Sequence, residues 1–354
     1  LNRITFRHAG NGFPVPQRGM VSTSRGHHWL VEGCTFERAN SLGIDMGNEM
    51  WSTTQNQEAG YHIFRKNIVR HCGIGGLQAL GGKQMLIEDN LFEDIGRQDA
   101  ELAFESGAIK IHTTFNTLIR RNVFRNIHFA PGIWMDYLAN QNCRITRNVF
   151  TNITTARGAI YIEVSRNDCL VDRNIFHQLR SQYWISGEYG AGGSAFYTDG
   201  SDSIRFCSNL AIDIENTGYG DYLNAERIVG SRGGVTRWHS VLNNIFIDCR
   251  KHAVEFPNVY NFSDGNVFSK MPPGFLKMTN PAPALLLDLD AWQKLYGWEK
   301  NGAMAKINGE VDSEKLELTL WFDPISVSLT GKGPFDNYSS GQKISIDPRK
   351  PCSR

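Results

Sequence analysis

An asparagine followed by two apolar residues returns down the chain, at Asn67-Ile68-Val69, Asn90-Leu91-Phe92, Asn122-Val123-Phe124, Asn148-Val149-Phe150, Asn174-Ile175-Phe176, Asn209-Leu210-Ala211, Asn244-Ile245-Phe246 and Asn266-Val267-Phe268. Gly33-Cys34-Thr35-Phe36 is a degenerate earlier copy. From residue 34 onward the intervals are 33, 23, 32, 26, 26, 35, 35 and 22, a floor near 22 with insertions of variable length. Self-similarity at such a period marks a solenoid. Between the asparagines lie short β-branched and aromatic runs, such as Gln84-Met85-Leu86-Ile87-Glu88 and Asn116-Thr117-Leu118-Ile119-Arg120, without a 3.6-residue period, so the repeating unit is made of strands. The pattern predicts an all-β fold, a right-handed parallel β-helix with two or three short strands per turn. An asparagine that tolerates the left-handed backbone region is expected at the same corner of every turn, its amide bonded to the copies above and below.

The repeat stops near Met271, where Met271-Pro272-Pro273-Gly274 and Asn280-Pro281-Ala282-Pro283 interrupt the texture. This divides the chain into a β-helix over 1–271 and a C-terminal capping segment over 272–354. Within that segment residues 288–297 read as a short amphipathic helix with Asp288 as N-cap, and Leu316-Glu317-Leu318-Thr319-Leu320 as a strand. A solenoid needs its terminal turns shielded, which is the role expected of 272–354. The first turn shows no comparable cover, so an upstream segment or domain of the same protein is expected to supply one.

The composition is that of a globular protein: 354 residues, 41% hydrophobic and 21% charged. With 37 basic against 36 acidic residues there is no cationic excess to hold nucleic acid, and a neutral ligand fits better. No apolar run is long enough to span a membrane, and no signal-peptide pattern opens the chain, which leaves the compartment open. Seven cysteines without a Cys-x-x-Cys pair read as reduced core thiols. The ten histidines show neither His-Glu-x-x-His nor a cluster of ligand spacing, so neither a metal nor another cofactor is indicated.

Equivalent residues of successive turns stand about 4.8 Å apart in a parallel β-helix. Asp136 lies 12 residues before Asn148 and Glu163 lies 11 before Asn174, so the two carboxylates are expected to stack, an extra residue near 139–142 accounting for the difference. Both sit alone among apolar and aromatic neighbours, in Gly132-Ile133-Trp134-Met135-Asp136-Tyr137-Leu138 and Ala159-Ile160-Tyr161-Ile162-Glu163-Val164. Two carboxyls about 5 to 5.5 Å apart suit a retaining glycosidase, one as nucleophile and one as acid/base. By the same back-count Gln78 shares a column with Lys110 and Asp136, and Glu255 falls in Glu163's column. Trp134 and Trp184 are the tryptophans nearest the proposed site and could stack on a sugar face. His112, two residues from Lys110, should face the same way. Asp45, Glu49, Glu188 and Asp199 are spare carboxylates.

These segments resemble glycoside hydrolase family 120, a β-xylosidase-type family of right-handed parallel β-helices. Gly132 to Tyr137 matches that family's Gly-Ile-Trp-Leu-Asp-Trp-type segment, and Tyr161 to Val164 its Phe-Val-Glu-Val-type segment. Glu105-Ser106-Gly107-Ala108-Ile109-Lys110-Ile111-His112 is similar to its Glu-x-x-Gly-Ile-Lys-x-His stretch. The resemblance, over about residues 40–215, implies Asp136 as nucleophile, Glu163 as acid/base, and Glu105 and Lys110 as ligands of sugar hydroxyls. The substrate it implies is an oligosaccharide or polysaccharide with terminal β-linked sugars, xylosides first. The family's inserted β-sandwich domain is not seen within these 354 residues and could lie upstream of them. Two other readings compete: a polysaccharide lyase acting on uronate-containing glycans with Lys110 as base, and a non-catalytic carbohydrate-binding β-helix.

Overall fold

The computed structural model describes the chain except residues 13–17, 24–25, 48–58, 100–105, 137–141, 166–167, 183–191, 224–235 and 351–354. Each complete turn lays down three strands in a fixed order. Leu118–Arg120 joins the first sheet, Val123–Ile127 the second and Ile133–Asp136 the third, and the next turn repeats the sequence with Cys143–Thr146, Val149–Thr155 and Gly158–Glu163. Among the described residues the three sheets hold nine, eleven and eleven strands, and all neighbours from turn to turn are parallel until the antiparallel closing strand Leu285–Leu287 on the third sheet.

The recurring tripeptide has a separate task for each residue. The asparagine occupies the corner between first and second sheets, where Asn122 Nδ2 donates to Asn148 Oδ1 at 3.0 Å and the Asn122 backbone N–H to the same oxygen at 2.9 Å. Asn148 treats Asn174 in the same way, and so on to Asn266. The amide also reaches sideways, Asn148 Nδ2 donating to the Ile119 carbonyl. The left-handed backbone sits one residue earlier than expected: Lys66, Asp89, Arg121, Arg147, Arg173, Ser208 and Asn243 carry φ between 53 and 60°, with Gly33 and Gly265 at the same place. The ladder asparagines are therefore selected by their side-chain bonds, and the residue before each one makes the turn.

The third residue points inward. Phe92, Phe124, Phe150 and Phe176 stack face to face through the core with ring centroids 5.1, 4.7 and 5.0 Å apart. The middle residue points outward, and Val123, Val149, Ile175, Leu210 and Ile245 form a second apolar cluster with Leu318, Leu320 and Ile346. Leu318 and Leu320 belong to the C-terminal antiparallel sheet of Asn308–Asp312, Glu317–Trp321 and Lys343–Ser345, with Ile346 just past its last strand, and this sheet lies along the outer face of the second sheet. The helix is Leu289–Tyr296, with Asp288 accepting from the Ala291 N–H. Its Trp292 is fully buried against Phe256 at the end of the main core. Parallel pairing runs past Met271, through Leu276–Met278 on the third sheet and Ala303–Met304 on the second. Glu299 takes the asparagine's place at the end of the ladder, accepting from the Asn266 backbone N–H at 3.0 Å and from its Nδ2. Burial pushes this carboxyl up to about 7 although both donors favour its ionised form. Cys34, Cys72, Cys143, Cys169, Cys207 and Cys249 are free thiols, all but Cys207 buried. Among the described residues no helix is long and apolar enough to cross a membrane.

Candidate active site on the third sheet

Alternation along the third sheet decides what it presents. Ile109 and Ile111, Ile133 and Met135, Ile160 and Ile162 point into the core, which turns Lys110 and His112, Trp134 and Asp136, Tyr161 and Glu163 to the outer face. These outward side chains are all buried. The register pairs Asp136 with Glu163 in adjacent turns, so the two carboxylates stack as their sequence spacing suggested.

The row containing them runs Leu80, His112, Asp136, Glu163, Asp199, Tyr222. The row beside it runs Asp45, Gln78, Lys110, Trp134, Tyr161, Tyr197. Gln78 thus shares a row with Lys110 but not with Asp136, and Glu255 pairs with Gly220 in the second row rather than following Glu163. The back-count fails because it crosses the connection from third to first sheet, whose length varies. His112 lies 10 residues before Asn122, Glu163 11 before Asn174 and Asp136 12 before Asn148, although all three share a row.

Lys110 Nζ, 1% exposed, donates to Asp136 Oδ2 at 2.9 Å and stands 3.0 Å from the centroid of the Trp134 ring. An ammonium this deeply buried requires such partners. His112 Nδ1 lies 3.7 Å from the same Asp136 oxygen, and Asp136 Oδ1 is buried with no hydrogen-bond partner. On the other side of Trp134 the Tyr161 ring packs at 5.0 Å, so the indole is bracketed by the turns before and after it. Its Nε1–H donates to Glu163 Oε2 at 2.9 Å. With both neighbours in place Trp134 orients Glu163 instead of offering an open face for stacking. Glu105 and Trp184, expected to line the same site, lie outside the described residues, as do Glu49 and Glu188.

Asp199 is the carboxylate whose place sequence reasoning missed. It follows Glu163 in the row, accepts from the Tyr161 hydroxyl at 3.3 Å, and is pushed up to about 6 by burial, with Asp136 adding to the push and Arg157 and the Tyr161 hydroxyl opposing it. Arg157 itself stands over the Trp134 and Tyr161 rings, 5.3 and 5.0 Å from their centroids. The signal for Asp199 was an aromatic residue two before a carboxylate, in Trp134-Met135-Asp136, Tyr161-Ile162-Glu163 and Tyr197-Thr198-Asp199. Among the described residues no group of three or more His, Cys, Asp or Glu side chains is disposed to hold a metal ion.

Comparison with known proteins agrees with the topology. A family model described as a right handed beta helix region matches residues 2–176. The solenoid is a right-handed parallel β-helix. No curated protein sequence matches the chain. Among solved structures, the complex of XylC with xylose aligns at 16% identity and a TM-score of 0.63, covering 93% of this chain and 63% of that one. This β-helix therefore spans under two thirds of the XylC chain. Pectate lyase Pel9A aligns at 11% identity and TM-score 0.46 over 84% of this chain and 70% of its own. A mutant of the PL6 family alginate lyase AlyGC aligns at 12% and 0.45 over 94% and 52%. At 16% identity the likeness to XylC is one of fold.

Proposed function

We propose that this β-helix is a retaining glycoside hydrolase that removes terminal β-linked sugars, xylosides and xylo-oligosaccharides first, by double displacement at Asp136 and Glu163. The observation that carries the reading is the pairing of the two carboxylates in adjacent turns on a buried face. Neighbouring turns are about 4.8 Å apart, close to the roughly 5 to 5.5 Å of retaining enzymes and too short for the water an inverting enzyme places between its carboxyls. Their surroundings suit different tasks. Asp136 has one oxygen held by the Lys110 ammonium and the other unpartnered, an arrangement suited to an ionised nucleophile whose Oδ1 attacks the anomeric carbon. Glu163 has Oε2 fixed as an acceptor by an indole N–H that can only donate, which leaves the proton of its acid form on Oε1 for delivery to the leaving oxygen. In the second step the same oxygen takes a proton from water as the glycosyl ester on Asp136 is hydrolysed.

An elimination mechanism would use Lys110 as a base and cations to neutralise a uronate. Against it, Lys110 donates to Asp136, and the row facing the substrate is acidic at Asp136, Glu163 and Asp199. The test is hydrolysis of a panel of aryl β-glycosides, xyloside first, by wild type, Asp136→Ala and Glu163→Ala. Release of aryl alcohol by the wild type and its loss in Asp136→Ala are expected. Full activity in both variants would remove the site from consideration.

A further inference from the structure

Gln78 is 1% exposed, and neither its Oε1 nor its Nε2 has a hydrogen-bond partner. A buried primary amide with nothing to bond is destabilising where an apolar side chain of the same length would not be. Its backbone neighbours Leu77 and Ala79 face the core, so the amide points to the outer face of the third sheet, in register with Lys110 on the next turn and Asp45 on the turn before. Carboxylate, amide and ammonium thus form a polar strip leading along the sheet toward Asp136. Asp45 is committed in part to its own loop, accepting from the Gly47 N–H at 3.1 Å, whereas Gln78 offers both a donor and an acceptor.

From this we infer that Gln78 is a specificity-determining residue that binds the hydroxyl on the far edge of the sugar, the 4-hydroxyl of a terminal pyranose, and this rests on the glycosidase reading above. Gln78 and Asp136 are two turns apart, about 10 Å along the axis, with Lys110 between them. The attacking oxygen approaches C1 roughly perpendicular to the ring, so the ring lies beside Asp136; a pyranose roughly 4 Å from its anomeric carbon to its 4-hydroxyl and a hydrogen bond of about 2.9 Å cover most of the separation, and the long Gln78 side chain, one row over, supplies the rest. A sugar anchored at Asp136 and lying back over Lys110 therefore ends at Gln78. The amide can donate to that hydroxyl and accept from it, and a site built on such a pair discriminates against a sugar that presents the hydroxyl elsewhere.

The test compares wild type with Gln78→Met on nitrophenyl β-D-xylopyranoside and on its C4 epimer, nitrophenyl α-L-arabinopyranoside. Melting temperatures and calorimetric binding of D-xylose are measured alongside. The expected result is a higher melting temperature for the sugar-free variant, kcat/KM on the xyloside lower by about 10- to 100-fold, weaker binding of D-xylose, and a ratio of the two substrates moved toward unity. A wild type that cleaves the xyloside together with a variant of unchanged kcat/KM and unchanged epimer ratio overturns the assignment of Gln78 and leaves the glycosidase reading standing. A wild type that neither cleaves nor binds either sugar overturns both.

Discussion

Replacing Asn148 with alanine tests the physical basis of the solenoid at one corner. The substitution removes four side-chain hydrogen bonds: those from Asn122 N–H and Nδ2 to Asn148 Oδ1, and those from Asn148 Nδ2 to the Ile119 carbonyl and to Asn174 Oδ1. They are not equally costly to lose. Asn122 Nδ2 keeps the Ile87 and Arg120 carbonyls, and Asn174 Oδ1 keeps the Asn148 backbone N–H. The Asn122 backbone N–H loses the acceptor that held it in a fully buried position. An orphaned buried donor costs about 1–3 kcal/mol and an ordinary net hydrogen bond about 1 kcal/mol, which places the loss at about 3–5 kcal/mol. Because Asn148 itself is not in the left-handed region, alanine adds no backbone strain to that figure. Denaturant unfolding followed by far-UV circular dichroism measures the total. Amide exchange of the 118–124 segment reports whether the opening is local, as nearest-neighbour coupling in a solenoid requires. A loss below about 1 kcal/mol, or protection of Asn122 equal to that in the wild type, would refute the ladder as a source of stability.

Glu299→Ala should act in the same way at the ladder's end, leaving the Asn266 backbone N–H without its acceptor while Nδ2 keeps only the Val241 carbonyl, with a loss of about 2–4 kcal/mol in denaturant unfolding and faster exchange at Asn266. Asp199 gives a pH signature. Its folded pKa of about 6 lies above the ordinary value of 3.8, so the folded state holds the extra proton and stability declines as pH rises from about 4 to 6. Asp199→Asn should be the more stable form above pH 6 by on the order of 3 kcal/mol at most, with the advantage gone below pH 4, as read from the difference between the two stability curves.

The architecture was legible because the features that specify it are local and recur. An asparagine at each corner, an inward phenylalanine and an outward aliphatic are three adjacent residues, and their period needs no knowledge of loops. The stacking of Asp136 on Glu163 was legible for the same reason, since both close strands of similar texture one turn apart. What depended on connection length was not. Gln78 was put in line with Asp136 because back-counting from the corner asparagine treats the variable third-to-first connection as constant. Asp199 was named only as a spare carboxylate, because it lies 10 residues before Asn209 where Glu163 lies 11 before Asn174, although its Tyr197-Thr198 context repeats that of Glu163. The bracketing of Trp134 between Lys110 and Tyr161, and the laying of the C-terminal sheet along the second sheet, are contacts between turns and between segments distant in sequence. Composition alone does not encode them.

The central claim is that Asp136 and Glu163 act as a retaining pair, and the stereochemistry of azide rescue tests it most directly. Glu163→Ala is incubated with an activated aryl β-xyloside and sodium azide, and the product is examined by proton NMR. A β-glycosyl azide, formed with acceleration by azide and absent from Asp136→Ala, is the predicted result. An α-configured product, or equal azide products from both variants, would contradict the double displacement at these two residues.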